Sequence, residues 1–87
     1  MSKVYIEMAP SFIRYVLKFK REDTAFGDVA RDIQVDPGVN RNWGYRTFKA
    51  YLMDKNASDS CLDVVDDLFE RYSVVQGNLY RLKKTPA

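Results

Sequence analysis

Histidine is absent from this sequence, which removes the commonest general base and the commonest metal ligand together. Acid–base or nucleophilic catalysis would need another arrangement, and no Gly-rich phosphate cradle is present either. The expectation is a non-enzymatic chain with no cofactor and no metal. Cysteine is nearly absent too. With Cys61 alone no intrachain disulfide can form, which excludes a disulfide-stapled secreted scaffold and favours a reducing compartment. No apolar run approaches the ~20 residues needed to cross a bilayer, and Met1 to Pro10 carries no basic segment followed by a signal-like apolar stretch. A cytoplasmic protein without a membrane partner is expected. Excess charge is also small: a net value of +2 gives no overall polyelectrolyte signature for nucleic acid.

What is present suffices for one core. At 87 residues a second independently folded unit has no room. A domain of this size buries only about 60 to 65% of the surface its unfolded chain exposes, so most large apolar side chains must serve the core and little is left for an apolar ligand cavity. The aromatic fraction, 14%, is high, and Tyr, Phe and Trp bury a large area at modest entropic cost. Such residues let a short chain form a core without disulfides.

The chain opens on Val4-Tyr5-Ile6-Glu7-Met8, a β-compatible stretch that Pro10 ends, and it reads as an extended arm. Ser11 can cap a helix from Phe12 to about Lys20, with Phe12, Tyr15, Val16 and Phe19 at helical spacing and Ile13 and Leu17 widening the stripe. After the polar break Glu22-Asp23-Thr24, residues Phe26, Val29, Ala30 and Ile33 predict a short second helix. Asp36-Pro37-Gly38 is a turn signal inside a loop from Gln34 to Asn42. Asn42 is the expected cap of a third helix burying Tyr45, Phe48, Tyr51 and Leu52. Ser60 with Asp63 forms a weak capping box ahead of a fourth stripe of Leu62, Val65, Leu68, Phe69 and Tyr72. Beyond Ser73 the pattern allows a helix interrupted by Gly77 or a hairpin turning at Gly77-Asn78, and a separate element is expected there. The expected core is Phe12, Tyr15, Phe19, Phe26, Phe48, Leu52, Val65 and Phe69.

These residues resemble the YozE family, small proteins of Gram-positive bacteria with a SAM-like four-helix fold. Ser11-Phe12, Tyr15, Leu17-Lys18 and Phe19 look like that family's opening Ser-Phe-x-x-Tyr-x-Leu-Lys-aromatic pattern. Phe26, Ala30 and Asp32 look like its second helix, and Tyr45, Phe48, Tyr51-Leu52 and Asn56-Ala57 follow its third helix and the turn after it. Val65-Asp66, Phe69 and Tyr72 fall where the family has Phe-Asp, Trp and Tyr. Val35-Asp36-Pro37-Gly38 replaces the family's Phe-Pro-Lys loop. The resemblance implies an all-α, SAM-like four-helix bundle over residues 11–72, with an extended N-terminal arm at 1–10 and an extra C-terminal segment at 73–87. It carries over no active site.

Cys61 stands near the positive end of the fourth helix, where a thiolate is favoured, but a small buried hydrophobe is the simpler role and no base partner accompanies it. Asp54-Lys55-Asn56-Ala57-Ser58 imitates the opening of a calcium loop, yet Asp59 stands where the loop needs Gly and Val65 where it needs a bidentate Glu. Two surface patterns remain. Lys18, Lys20 and Arg21 end the first helix, while Arg41, Arg46 and Lys49 gather with Trp43 around the third; cations on phosphate and an indole on a base would bind nucleic acid. The acids Asp63, Asp66, Asp67 and Glu70 stripe the fourth helix, and Arg71, Arg81, Lys83 and Lys84 follow with no acid among them. That asymmetry suits a protein partner or a second copy of the chain, and this is the favoured expectation, with nucleic acid the alternative.

Overall fold

The computed structural model describes the backbone of residues 10–84 and the side chains of residues 10–76. The arm expected at 1–10 lies, Pro10 apart, outside the described residues. Four helices follow one another: α1, Phe12–Leu17; α2, Ala25–Val35; α3, Tyr45–Asp54; and α4, Asp59–Lys84. There is no strand among the described residues, so the all-α class holds.

Local chemistry sets each boundary. Ser11 Oγ accepts the Arg14 N–H at 3.2 Å and Thr24 Oγ1 accepts the Gly27 N–H at 3.1 Å, which caps α1 and α2. Helix α1 stops at Leu17 rather than near Lys20, because the next amides turn back on carbonyls three residues behind: Phe19 on Val16 at 3.0 Å and Lys20 on Leu17 at 3.2 Å. Asn42 is not the cap of α3. Gly44 holds that position with no side-chain bond, while Asn42 donates its N–H to Asn40 Oδ1 and accepts Arg14 Nη2. Ser58, not Ser60, caps α4 by accepting the Cys61 N–H at 3.1 Å.

Between α3 and α4 the chain reverses at Asn56, whose φ of +62° is left-handed. The Asn56 N–H reaches Met53 O at 3.0 Å and the Ala57 N–H reaches Leu52 O at 3.0 Å, the paired bonds that satisfy the last carbonyls of a helix. Asn tolerates this conformation better than other non-glycine residues. The segment resembling a calcium loop is this helix stop.

The core joins all four helices. Phe12, Ile13, Val16, Ala30, Ile33, Phe48, Val65 and Leu68 are at most 2% exposed. Phe12 is the hub, with ring centroids of Tyr45, Phe48, Phe69 and Tyr72 between 5.5 and 6.4 Å away. Each such side chain contributes about 1.5 to 3 kcal/mol of transfer free energy, which must offset the entropy of ordering the chain. The expected core needs correction: Phe19, Phe26 and Leu52 are only partly buried and pack against it from outside. Phe69 is 36% exposed, since it lies flat on Tyr45 at the core's edge, centroids 4.1 Å apart. Val39, in the loop before α3, is 6% exposed and belongs to the core.

No separate element begins after Ser73 among the described residues, because α4 continues through Gly77 to Lys84. Its 26 residues span about 39 Å at 1.5 Å per residue, against 6, 11 and 10 residues for α1, α2 and α3. The molecule is correspondingly long, 48 × 25 × 22 Å. No helix among the described residues is long and apolar enough to cross a membrane.

Candidate interaction surface

The first basic cluster stands on the turn after α1. Lys18, Lys20 and Arg21 are exposed there. The turn is pinned from beneath by Arg31 of α2, whose Nη1 donates to the carbonyls of Lys20 and Glu22, both at 2.9 Å, while Nη2 meets Asp28. Gly27 lets α2 approach this turn: a Cβ there would fall 1.9 Å from the Glu22 carbonyl oxygen. Arg31 was not among the sequence candidates. Its signal, an acid three residues earlier, marks a helix-surface pair and not a clamp on distant carbonyls.

In the second basic cluster Trp43 and Lys49 each have a partner within the fold. Arg41 and Arg46 are exposed. Trp43 is half-buried and packs against Tyr51, centroids 5.2 Å apart. Tyr51 in turn donates to Asp36 Oδ2 at 2.8 Å, and the Gly38 N–H donates to Asp36 Oδ1 at 2.8 Å. These two bonds, the backbone one foremost, hold the Asp36 carboxyl below the ordinary carboxylate range. The Tyr51 hydroxyl comes close to Gly38 as well: a Cβ added there would stand 2.6 Å from it, so a side chain at this position would have to displace the hydroxyl. The Trp43 ring is therefore committed to bracing the loop.

Lys49 is engaged as well. Its Nζ lies 3.0 and 3.2 Å from the two oxygens of Asp66, and the Tyr45 hydroxyl donates to Asp66 Oδ1. The hydroxyl and the ammonium, in that order, lower the Asp66 pKa, and Asp66 followed by Tyr45 raises that of Lys49. One member of the basic set and one of the acidic set thus neutralise each other within the fold.

The rest of the acidic stripe faces outward. Asp63, Asp67 and Glu70 are exposed, and none forms an ion pair among the described residues. Asp67 and Glu70 border an open groove of about 590 Å³ that runs along α4, with Arg71, Val74 and Val75 on the same helix and Tyr15 and Phe26 opposite. The Arg71 guanidinium lies 5.1 Å from the centroid of Phe26, a cation–π contact that floors the groove. Val74 is 58% exposed and Val75 40%. No family model, curated protein or solved structure matches the chain.

Cys61 is half-buried and lines a pocket of about 50 Å³ with Val29, Ile33, Phe48 and Leu52. Burial first, then the nearby Asp32 carboxylate, pushes its thiol pKa up. Among the described residues no three His, Cys, Asp or Glu side chains stand together as a metal site.

Proposed function

We propose that this chain is a non-enzymatic interaction domain, a protein–protein or self-association module that works in the cytoplasm without cofactor, metal or membrane. The observation that carries the reading is the outward acidic row Asp63, Asp67 and Glu70 beside an open groove with exposed Val74 and Val75. Charged rims around a small apolar patch steer association and select partners. For the scaffold we propose a SAM-like bundle of the YozE type. Its support is that Phe12, Tyr15, Phe48 and Val65, all positions of the resemblance, are core residues. That Cys61 is the single cysteine, so that no intrachain disulfide can form, is the support for a reducing compartment.

Nucleic acid is the weaker reading, because Trp43 is occupied by Tyr51 and Lys49 by Asp66. The test is capture from a native lysate by the wild-type chain and by Asp63→Lys/Asp67→Lys, with and without nuclease. Retention of specific proteins by the wild type, unaffected by nuclease and lost in the variant, is the expected result. Capture that nuclease abolishes, together with a salt-sensitive gel shift lost in Arg41→Glu/Arg46→Glu, would replace it with nucleic-acid binding.

A further inference from the structure

Helix α4 carries an unusual row along one face. Starting from Asp63 and stepping by four and three residues in turn, the positions are Asp63, Asp67, Glu70, Val74, Gly77, Arg81 and Lys84. A row with this spacing stays in line on a helix and forms the seam of a helix pair. Its N-terminal half is acidic, its centre is small and apolar, and its C-terminal half is basic.

We propose that the partner of this face is a second copy of the same chain, bound through antiparallel pairing of α4 with α4 about a twofold axis; this rests on the self-association reading above. An antiparallel pair matches positions whose numbers have a constant sum, and one register satisfies the row from Asp67 to Lys84. It sets Asp67 against Lys84, Glu70 against Arg81 and Val74 against Gly77, and the axis repeats each contact in reverse. In a parallel pair the acids would face acids and the basic residues would face basic ones, so the sequence selects the antiparallel arrangement.

Two further observations favour this occupant. Gly77 lies inside α4, where glycine costs about 1 kcal/mol relative to alanine, and no turn or break occurs there. Close approach of a second helix, with Val74 of the other copy over the missing side chain, gives that glycine a packing role. Asp67, Glu70 and Val74 of the row are exposed and border the open groove that faces the Tyr15 and Phe26 rings, so among the described residues no other element covers this stretch of α4.

The test is sedimentation velocity over a wide range of protein concentration at low and moderate salt. The wild type is expected to be a dimer at low salt, with a dissociation constant that rises with salt. Asp67→Lys/Glu70→Lys and Arg81→Glu/Lys84→Glu should each weaken dimerisation at least tenfold, roughly what several reversed surface pairs supply. An equimolar mixture of the two variants should restore the dimer, because each copy then meets its complement, and circular dichroism of each variant alone checks that both remain folded. Gly77→Leu, folded by the same criterion, should also dissociate the dimer. A wild-type dimer that survives both charge reversals would overturn the α4 pairing while leaving self-association in place. A wild type that stays monomeric at low salt and high concentration would overturn this inference and the self-association reading together, leaving partner capture to decide the wider proposal.

Discussion

The ammonium of Lys49 in α3 lies 3.0 Å from Oδ1 of Asp66 in α4, and Tyr45, one turn before Lys49, donates its hydroxyl to the same oxygen. This contact ties the third helix to the fourth on the rim of the core, where Phe69 stacks on the Tyr45 ring. It also changes the surface, because two charges that would otherwise be open to a partner cancel at short range.

The energetic signature of that contact is non-additivity. Lys49→Met and Asp66→Asn should each destabilise the fold by stranding a partner, and the double variant should lose less than the two single losses combined. Denaturant titrations of the four species give the coupling directly, and the coupling should shrink as salt is added. Strict additivity at low salt would mean that the pair contributes nothing.

Gly27→Ala should destabilise, although alanine is the better helix former. The intrinsic gain is about 0.5 to 1 kcal/mol. Against it, the new Cβ would stand 1.9 Å from the Glu22 carbonyl oxygen and 3.0 Å from that of Phe19, both main-chain atoms that cannot swing away. A net loss of about 1 to 3 kcal/mol is expected from forcing the α1–α2 turn off α2. A rise in the unfolding midpoint would show that this approach is not as tight as described.

Phe48→Ala and Phe69→Ala should differ sharply. Phe48 is 2% exposed and contacts the Phe12 hub, so its truncation should cost about 3 to 5 kcal/mol, enough to unfold a domain of marginal stability. Phe69 is 36% exposed, and losing its stack on Tyr45 should cost about 1 to 2 kcal/mol. Chemical denaturation of both variants checks the order. Equal losses would contradict the assignment of Phe69 to the edge.

Stability against pH should be flat in the middle and fall at both ends. Asp36 and Asp66 have folded-state pKa values below their ordinary ones, so the stability they supply is complete above the unfolded value of about 4 and is lost as pH drops through the folded values. Lys49 and Tyr72 are shifted upward, Lys49 chiefly by Asp66 and Tyr72 by burial. Their contributions are complete below the unfolded values of about 10 and are lost as pH rises through the folded ones. With no histidine, no side chain has its ordinary titration between about pH 5 and 8. Thermal melts across pH should show this plateau, and Asp36→Asn/Asp66→Asn should flatten its acid edge. A steep change near pH 6.5 would contradict it.

Much of the helical pattern could be read without coordinates. Ser11 and Thr24 cap α1 and α2 as their hydroxyls suggest, and the stripes through Phe12, Ile33, Phe48 and Val65 lie inside. Cap choice was harder where several candidates were adjacent: Ser58 and Ser60 carry the same hydroxyl, and only the backbone path decides which one meets the Cys61 amide. Phe69 and Leu68 are neighbours on one stripe, and which of them goes to the centre depends on where α1 lies. Gly77 reads as a breaker in isolation, yet α4 runs through it.

The candidate surface was legible as composition and not as geometry. That acids fill the first part of α4 and basic residues the last is a property of the chain alone, as are the helical period and the absence of histidine. Which charges stay available was decided by the tertiary structure. Packing α3 against α4 brings Lys49 to Asp66 across seventeen positions of sequence, and the path of the loop before α3 seats Trp43 on Tyr51. Periodicity records which side of its own helix a residue occupies, whereas its neighbours on other helices follow from how the helices are laid together, which no local pattern encodes.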